Sequence, residues 1–76
     1  MPRFFFDTTL NNVTEPDREG VELHDAKTAR QEAVRATAEM AKDLAHRSPE
    51  QDITIQVRDE AGERVGTVRL TLRIDA

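Results

Sequence analysis

One helical segment whose apolar stripe is mostly alanine constrains the fold of this chain more than any other feature. Asp25 can cap a helix running from about Ala26 to His46, because its side chain can accept hydrogen bonds from the first free N–H groups. The stripe recurs at spacings of three and four residues and consists of Ala26, Ala29, Ala33, Thr37, Met40 and Leu44. Small side chains let a helix lie close to its neighbour, so the opposite layer must supply most of the core volume.

Bulky side chains that can fill this core lie close to the amino terminus. All three aromatic residues, Phe4, Phe5 and Phe6, fall within residues 3–9, whose composition favours a strand. Because side chains alternate between the two faces of a strand, Phe4 and Phe6 are expected to face the helix. Phe5 is then expected on the opposite face, which no helix covers.

The first strand is followed by a hairpin turn and a weak return strand. Asn11 and Asn12 tolerate the positive φ values of a tight turn. Pro16 cannot donate to a sheet ladder and Gly20 suggests a turn or bulge, so residues 13–22 are expected to form only a short edge strand.

Two segments after the helix alternate apolar with polar side chains, as strands do. They are residues 52–58 and 67–74, separated by a turn at residues 59–62. The apolar residues have odd numbers before the turn and even numbers after it, so facing residues must have numbers that sum to an odd value. If a bulge supplies that register, Gly66 is its expected position.

These elements predict an α+β fold in the order strand, strand, helix, strand, strand. One helix packs on a mostly antiparallel sheet of three to four strands, forming a two-layer sandwich. The first strand and one strand of the second hairpin are expected in the middle of the sheet. The length is that of one small domain, so residues 1–76 are expected to form a single unit.

Composition limits the possible functions. The chain has no cysteine, which excludes disulfides and cysteine-based metal sites. Its net charge of −4 disfavours nucleic acid unless the basic residues gather on one face. No signal pattern opens the chain, and no apolar run approaches the roughly 18 residues of a spanning helix, so we expect a cytoplasmic protein without membrane contact. We expect no cofactor.

Four motifs carry a resemblance to a known family. They are MPRFFF, Asp17-x-Glu19-Gly20-x-Glu22-Leu23-x-Asp25, Ala29-Arg30-x-Glu32-Ala33 and Val57-Arg58-Asp59-Glu60-x-Gly62. In this order and spacing they resemble a family of short bacterial proteins, common in rhizobia and their relatives, known only as a domain of unknown function. That family often has Tyr among the early phenylalanines, a glycine in the turn at Asn11-Asn12 and Pro at His24. The resemblance implies no activity, cofactor or catalytic residue.

A more distant likeness, of fold alone, is to the antitoxin domain of HicA-HicB toxin-antitoxin pairs. That small α/β domain also runs from a strand pair through an acidic turn with a glycine into a helix rich in Ala and Glu. Nothing about function follows from it.

The uncovered sheet face is the first candidate site. The residues expected to share it are Phe5, Arg58, Arg69, Thr71 and Arg73. Arginine and aromatic residues are favoured at interfaces, so the face is expected to meet a protein partner or a second copy of the chain. The alternative is weak binding of single-stranded nucleic acid stacked on Phe5, although such sheets usually stack two or three bases.

An acidic segment is the second candidate site, formed by Glu15, Asp17, Glu19 and Glu22. Carboxylates can bind calcium or magnesium, but the spacing lacks the pattern of an EF-hand loop. We therefore expect a solvated acidic patch, which could steer a basic partner, and no metal site. His24 and His46 are expected to be a surface residue and a residue at the helix carboxyl end, respectively.

Pro2 supports the one enzyme hypothesis that the sequence allows. If Met1 were removed, the secondary amine of Pro2 could act as a general base, in an arrangement that resembles the tautomerase superfamily. The intervening hairpin and acidic segment do not fit that superfamily. The predicted function is therefore a non-catalytic protein-interaction module, with a homodimer through the uncovered face as one possible form.

Overall fold

The computed structural model describes residues 1–75, which form one helix and five strands. In chain order these are β1 (Arg3–Leu10), β2 (Val13–Glu15), β3 (Val21–Glu22), α1 (Ala26–Leu44), β4 (Glu50–Arg58) and β5 (Arg64–Arg73). The helix packs on one face of a fully antiparallel sheet, which confirms the predicted α+β class and element order. There are five strands rather than three to four because the return strand of the first hairpin is interrupted.

The sheet has the order β2-β1-β4-β5, and β3 also pairs with β1. The central positions of β1 and β4 confirm the expected middle of the sheet. In β1, Thr8 pairs with Glu15 of β2 and Phe4 pairs with Val21 of β3. Since β4 occupies the other side of β1, β2 and β3 form one edge, interrupted by the loop of residues 16–20.

Both hairpins have the expected turn chemistry. Asn11 and Asn12 have φ values of 49° and 75°, and they connect β1 to β2 as a two-residue turn. In the second hairpin Ile53 faces Leu70. Their residue numbers sum to an odd value, as predicted. The register then shifts at the start of β5, next to Gly66, so a bulge is present where the sequence indicated one.

The helix begins as predicted and ends slightly earlier. Thr28 N donates to the Asp25 carboxylate at 2.7 Å, which confirms the cap. The last helical residue is Leu44, two residues before the predicted end at His46. Thr37 is buried within the alanine stripe, and its hydroxyl donates to the carbonyl of Ala33 at 2.7 Å, which satisfies the buried polar group.

The core lies between the alanine stripe and the middle strands. Phe4, Ile55 and Val57 are buried against Ala29 and Ala33, where the missing bulk of the helix was expected to be replaced. Phe6 packs against the same cluster but keeps part of its ring accessible. Phe4 and Phe6 therefore both face the helix, as their alternation with Phe5 predicted.

The helix covers the sheet unevenly, because it lies mainly over β4 and β5. Near Met40 this leaves an open groove of about 340 Å³ over β1 and β2, lined by Leu10 and Val13 among others. Over β5, Gly66 leaves room for the helix, since a Cβ there would lie 2.6 Å from Cγ of Arg30. Within residues 1–75, α1 is not apolar enough over its length to cross a bilayer.

Candidate interaction surface

The face of the sheet opposite the helix carries the candidate interaction surface. The strand registers bring to it, among others, the side chains of Phe5, Asp7, Thr9, Glu50, Asp52, Thr54, Gln56, Arg58, Thr67, Arg69, Thr71 and Arg73. The five residues that the sequence assigned to this face are all among them. The helix packs on the other face, and the loop of residues 16–20 reaches this one at its margin, beside Phe5 and Arg58. Most of β5 is therefore accessible to a partner from this side.

Phe5 and Arg58 form a stacked pair on this surface. The guanidinium carbon of Arg58 lies 4.6 Å from the centre of the Phe5 ring, within the range of a cation–π contact. Arg58 Nε donates to the Asp7 carboxylate at 2.8 Å, and Nη2 donates to the carbonyl oxygen of Asp17 at 2.9 Å. These bonds fix the guanidinium plane while a third of the Arg58 side chain stays accessible.

Asp17 connects the loop of residues 16–20 to the edge of β1 through hydrogen bonds. Its Oδ2 accepts the backbone N–H of Phe6 at 3.1 Å, and its Oδ1 accepts the N–H groups of Glu19 and Gly20 at the same distance. Its own N–H donates to Asp7 at 2.9 Å. Asp7, Asp17 and Arg58 thus form one hydrogen-bonded cluster at the margin of the surface.

Opposing effects act on the pKa values of the two carboxyl groups in this cluster, those of Asp7 and Asp17. Partial burial raises the pKa of Asp17, but N–H donors from Gly20, Phe6 and Glu19, helped by the charge of Arg58, leave it below its ordinary value. Burial likewise raises the pKa of Asp7, but the hydrogen bond from Arg58, the N–H of Asp17 and the charge of Arg58 together leave it below its ordinary value. Both groups are therefore ionised at neutral pH, and their two negative charges surround the single positive charge of Arg58.

Gly20 lets the loop lie directly against the aromatic pair. Its φ is 71°, and a Cβ at this position would lie 2.8 Å from both Cγ of Arg3 and Cε2 of Phe5. The backbone carbonyl of Phe4 would be 2.9 Å away. A side chain does not fit here without movement, so glycine is required both by its backbone angle and by the close approach.

The arginines on β5 are paired with carboxylates but remain accessible. Arg69 Nη2 lies 2.8 Å from Asp52, and Arg73 Nε lies 3.2 Å from Asp75. The hydrogen bond from Arg69 lowers the pKa of Asp52, and Thr71 donates to the same carboxylate at 3.4 Å. The Arg69 and Arg73 side chains are 68% and 70% exposed, so this part of the surface presents mixed charge to solvent.

The acidic segment divides into groups with different environments. Asp17 is directed into the β1 edge as described, whereas Glu15 and Glu19 are exposed. Glu22 lies 3.2 Å from Arg3 and 3.8 Å from the amino group of Met1. Three of the four carboxylates in the predicted acidic patch are thus exposed, whereas Asp17 is held against β1. No three possible metal ligands converge on one point within residues 1–75.

Pro2 and the histidines lie apart from this cluster. Pro2 is exposed, and its carbonyl oxygen accepts the N–H of Leu23 at 3.0 Å, which extends the pairing between β1 and β3. His24 and His46 are exposed. Two carboxylates lie beside Pro2, because Glu22 is 3.8 Å from the amino group of Met1 and Glu60 accepts the N–H of Arg3 at 3.1 Å. Catalysis by Pro2 stays a prediction.

Sequence reasoning missed Asp7 and the inward role of Asp17. A signal for Asp7 was available, because a carboxylate inside a strand on the face of Phe5 requires a partner. Arg58 lies diagonally across from it on the neighbouring strand, where it faces Phe5. Asp17 gave no such signal, since its role depends on how the loop folds back over β1.

Comparison with known proteins gives a family but no function. The family model described as Domain of unknown function (DUF6894) matches residues 3–71. This agrees with the resemblance found in the four motifs and covers nearly the whole chain. Comparison with curated proteins gave no match, and comparison with solved structures gave none.

Proposed function

The chain belongs to this family of unknown function, and we propose that it is a protein-binding module that uses the uncovered face of its sheet. The observation that carries the proposal is the stacked pair of Phe5 and Arg58 on that face. An arginine and an aromatic ring held in one conformation can bind a partner with little loss of side-chain entropy. Such residues are enriched at the centres of protein interfaces.

The charges of the surface favour a protein over nucleic acid. Arg58, Arg69 and Arg73 each have an intramolecular carboxylate partner, which a phosphate backbone would have to displace. The chain as a whole carries a net charge of −4, which repels polyanions at long range. A protein surface with a few carboxylates beside apolar groups could instead bind next to the exposed arginines and Phe5.

The proposal involves no catalytic step. The alternative in which Pro2 acts as a general base remains a prediction, and it requires that Met1 be removed. Mass spectrometry of the intact purified protein reports whether Met1 is present. Retention of Met1 eliminates that alternative.

Site-specific photo-cross-linking in cells that produce the protein tests the proposed surface. A photoreactive amino acid is placed at Gln56, in the middle of the uncovered face, and at Gln31, on the exposed side of the helix, as the matched control. We expect an adduct with a defined protein from position 56 only. The adduct should disappear when Arg69→Glu is added, because that change replaces an exposed positive charge with a negative one beside Asp52.

Three outcomes contradict the proposal. Equal adducts from positions 56 and 31 would mean that the uncovered face is not preferred. Adducts with nucleic acid alone from position 56 would support the alternative ligand. An adduct that persists at full yield in the Phe5→Ala variant would show that the stacked pair does not contribute to binding.

A further inference from the structure

We propose that β5 pairs with β5 of a second copy of the chain, in antiparallel orientation about a two-fold axis at Leu70. This inference is independent of the proposed function, because it concerns the edge of the sheet and not its uncovered face. It also differs from dimerisation through that face, since an edge-paired dimer leaves the face free. The inference combines the open edge of β5, the apolar side chains beside it and the register that its charges allow.

The outer edge of β5 presents unpaired backbone groups. Ile74 N donates to the carbonyl of Pro49 at 2.7 Å, so the even-numbered residues of β5 direct their backbone groups toward β4. The odd-numbered residues from Thr67 to Arg73 therefore direct their N–H and C=O groups outward. No strand of the described chain pairs with this side. An uninterrupted edge of this length is a ready template for another strand.

The opposite edge of the sheet is closed to such pairing. There β2 and β3 have three and two residues and are separated by the loop of residues 16–20. Asp17 already accepts the N–H of Phe6 in the gap. Because, among the described strands, β5 alone offers a long run of free backbone groups, pairing through it gives a closed two-fold dimer and not a growing filament.

Apolar side chains flank the β5 edge on the side of the helix. Val34, Leu70 and Ile74 are 56%, 36% and 54% exposed, so apolar surface borders this edge. Arg30 donates to the carbonyl of Val65 at 3.1 Å, so the side of the helix that carries Arg30 faces β5. Val34 lies one helical turn after Arg30, on the same side. A second copy on this edge would bury these side chains together with the backbone groups.

Charge selects the register of the pairing. A centre at Arg69 places two copies of Arg69 opposite each other, and a centre at Thr71 places Arg69 opposite Arg73; facing like charges are destabilising. A centre at Leu70 places Arg69 opposite Thr71 and Arg73 opposite Thr67. The same centre pairs Val68 with Leu72 on the side of the helix.

Other registers without facing arginines are shorter. A centre at Val68 runs into the bulge beside Gly66, and a centre at Leu72 pairs fewer residues before β5 ends. The register at Leu70 therefore uses the longest regular stretch of the strand. Ion pairs with Asp52 and Asp75 reduce the remaining repulsion between the arginines.

Sedimentation equilibrium of the purified full chain tests the assembly. We expect a species of twice the chain mass of 8.6 kDa that dissociates on dilution. Thr71→Pro should abolish it, because proline removes an outward N–H while leaving the groups that bond to β4 in place. Thr71→Val keeps that N–H and is the matched control, expected to dimerise like the wild type. Circular dichroism must show that both variants are folded.

Cysteine cross-linking tests the register, since the chain has no cysteine of its own. In the proposed dimer the two Leu70 side chains form a non-hydrogen-bonded pair, whose Cβ separation suits a disulfide. Leu70→Cys should therefore form a covalent dimer under mild oxidation. The control Leu72→Cys should not, because its copies lie roughly 14 Å apart in this register.

The proposal is overturned if the wild type remains monomeric at the highest concentration measured. It is also overturned if a dimer persists in folded Thr71→Pro, or if Leu72→Cys cross-links as fast as Leu70→Cys. None of these results bears on whether another protein binds the uncovered face, so the two proposals fail separately.

Discussion

The carboxylate of Asp17 accepts the backbone N–H of Phe6 at 3.1 Å and so occupies the position that a strand residue would take beside β1. The return strand can therefore be interrupted without leaving that N–H unpaired. The same carboxylate binds two N–H groups of its own loop, and the Asp17 carbonyl binds Arg58. One residue thus closes an edge of the sheet and orients the arginine of the candidate surface.

Asp17→Ala is expected to destabilise the fold by about 1–3 kcal/mol, because it leaves backbone donors on the β1 edge and in the loop without their acceptor. The free energy of unfolding, measured by urea denaturation, checks this. Glu19→Ala is the control, since it removes an exposed carboxylate from the same loop. A loss in Glu19→Ala as large as that in Asp17→Ala would contradict the assigned role.

Acid is expected to weaken the fold through the same cluster. The pKa values of Asp7 and Asp17 are lowered in the folded state, so their stabilising contribution is present above the ordinary value of 3.8 and is lost as the pH falls through the lowered values. The pKa values of Asp25, Glu32 and Asp52 are lowered too and act in the same direction. The free energy of unfolding should thus decrease below about pH 4.

A variant separates the contribution of the cluster from that of the exposed carboxylates. Asp17→Asn cannot be protonated in this range, so its free energy of unfolding should depend less steeply on pH than that of the wild type. Urea denaturation at a series of pH values gives both slopes. Identical slopes would mean that the ionisation of Asp17 does not contribute to stability.

Two glycines with positive φ allow the close approach at the surface to be measured. Gly20 and Gly62 have φ values of 71° and 85°, so an alanine at either position meets the left-handed backbone penalty of roughly 1–2 kcal/mol. A Cβ at Gly62 has open space, whereas one at Gly20 meets Phe5 and the Phe4 carbonyl. Gly20→Ala should therefore cost about 1–3 kcal/mol more than Gly62→Ala. Equal costs in chemical denaturation would refute the contact.

The parts of the fold that follow from residue periods could be predicted from the sequence. The alanine stripe predicted the buried side of the helix. The numbering of apolar residues around the second turn predicted that facing residues have an odd sum, as Ile53 and Leu70 do. Alternation from Phe4 to Phe6 identified the uncovered face. Asp17 could not be placed, because its partners are backbone groups brought near by the path of an irregular loop.

How much of the sheet the helix covers could not be predicted from the sequence either. Leu70 and Ile74 alternate in the sequence just as Val68 does, yet they are 36% and 54% exposed. Alternation reports which face a side chain takes, but not how far the second layer extends over that face. Coverage depends on the position of the helix across the sheet, which arises from contacts such as that of Arg30 beside Gly66.

Replacing each of the three phenylalanines with alanine is expected to lower the free energy of unfolding by a different amount. Phe4 is 4% exposed within the core, so Phe4→Ala should destabilise by about 3–5 kcal/mol through the cavity it leaves. Phe6 is only partly buried, so Phe6→Ala should lower the free energy of unfolding by less than Phe4→Ala does. Phe5→Ala loses the stack with Arg58, worth about 0.5–1 kcal/mol at an exposed site, together with its partial burial.

Phe5→Leu is the matched control for the aromatic contact, because it keeps an apolar side chain on the uncovered face but removes the ring under Arg58. If the stack contributes, the double-mutant cycle of Phe5→Leu with Arg58→Leu should give a favourable coupling energy between the two residues. Urea denaturation of the four proteins provides it. A coupling of zero would mean that the stack does not contribute to stability. A loss in Phe5→Ala equal to that in Phe4→Ala would mean that Phe5 serves the core and not the surface.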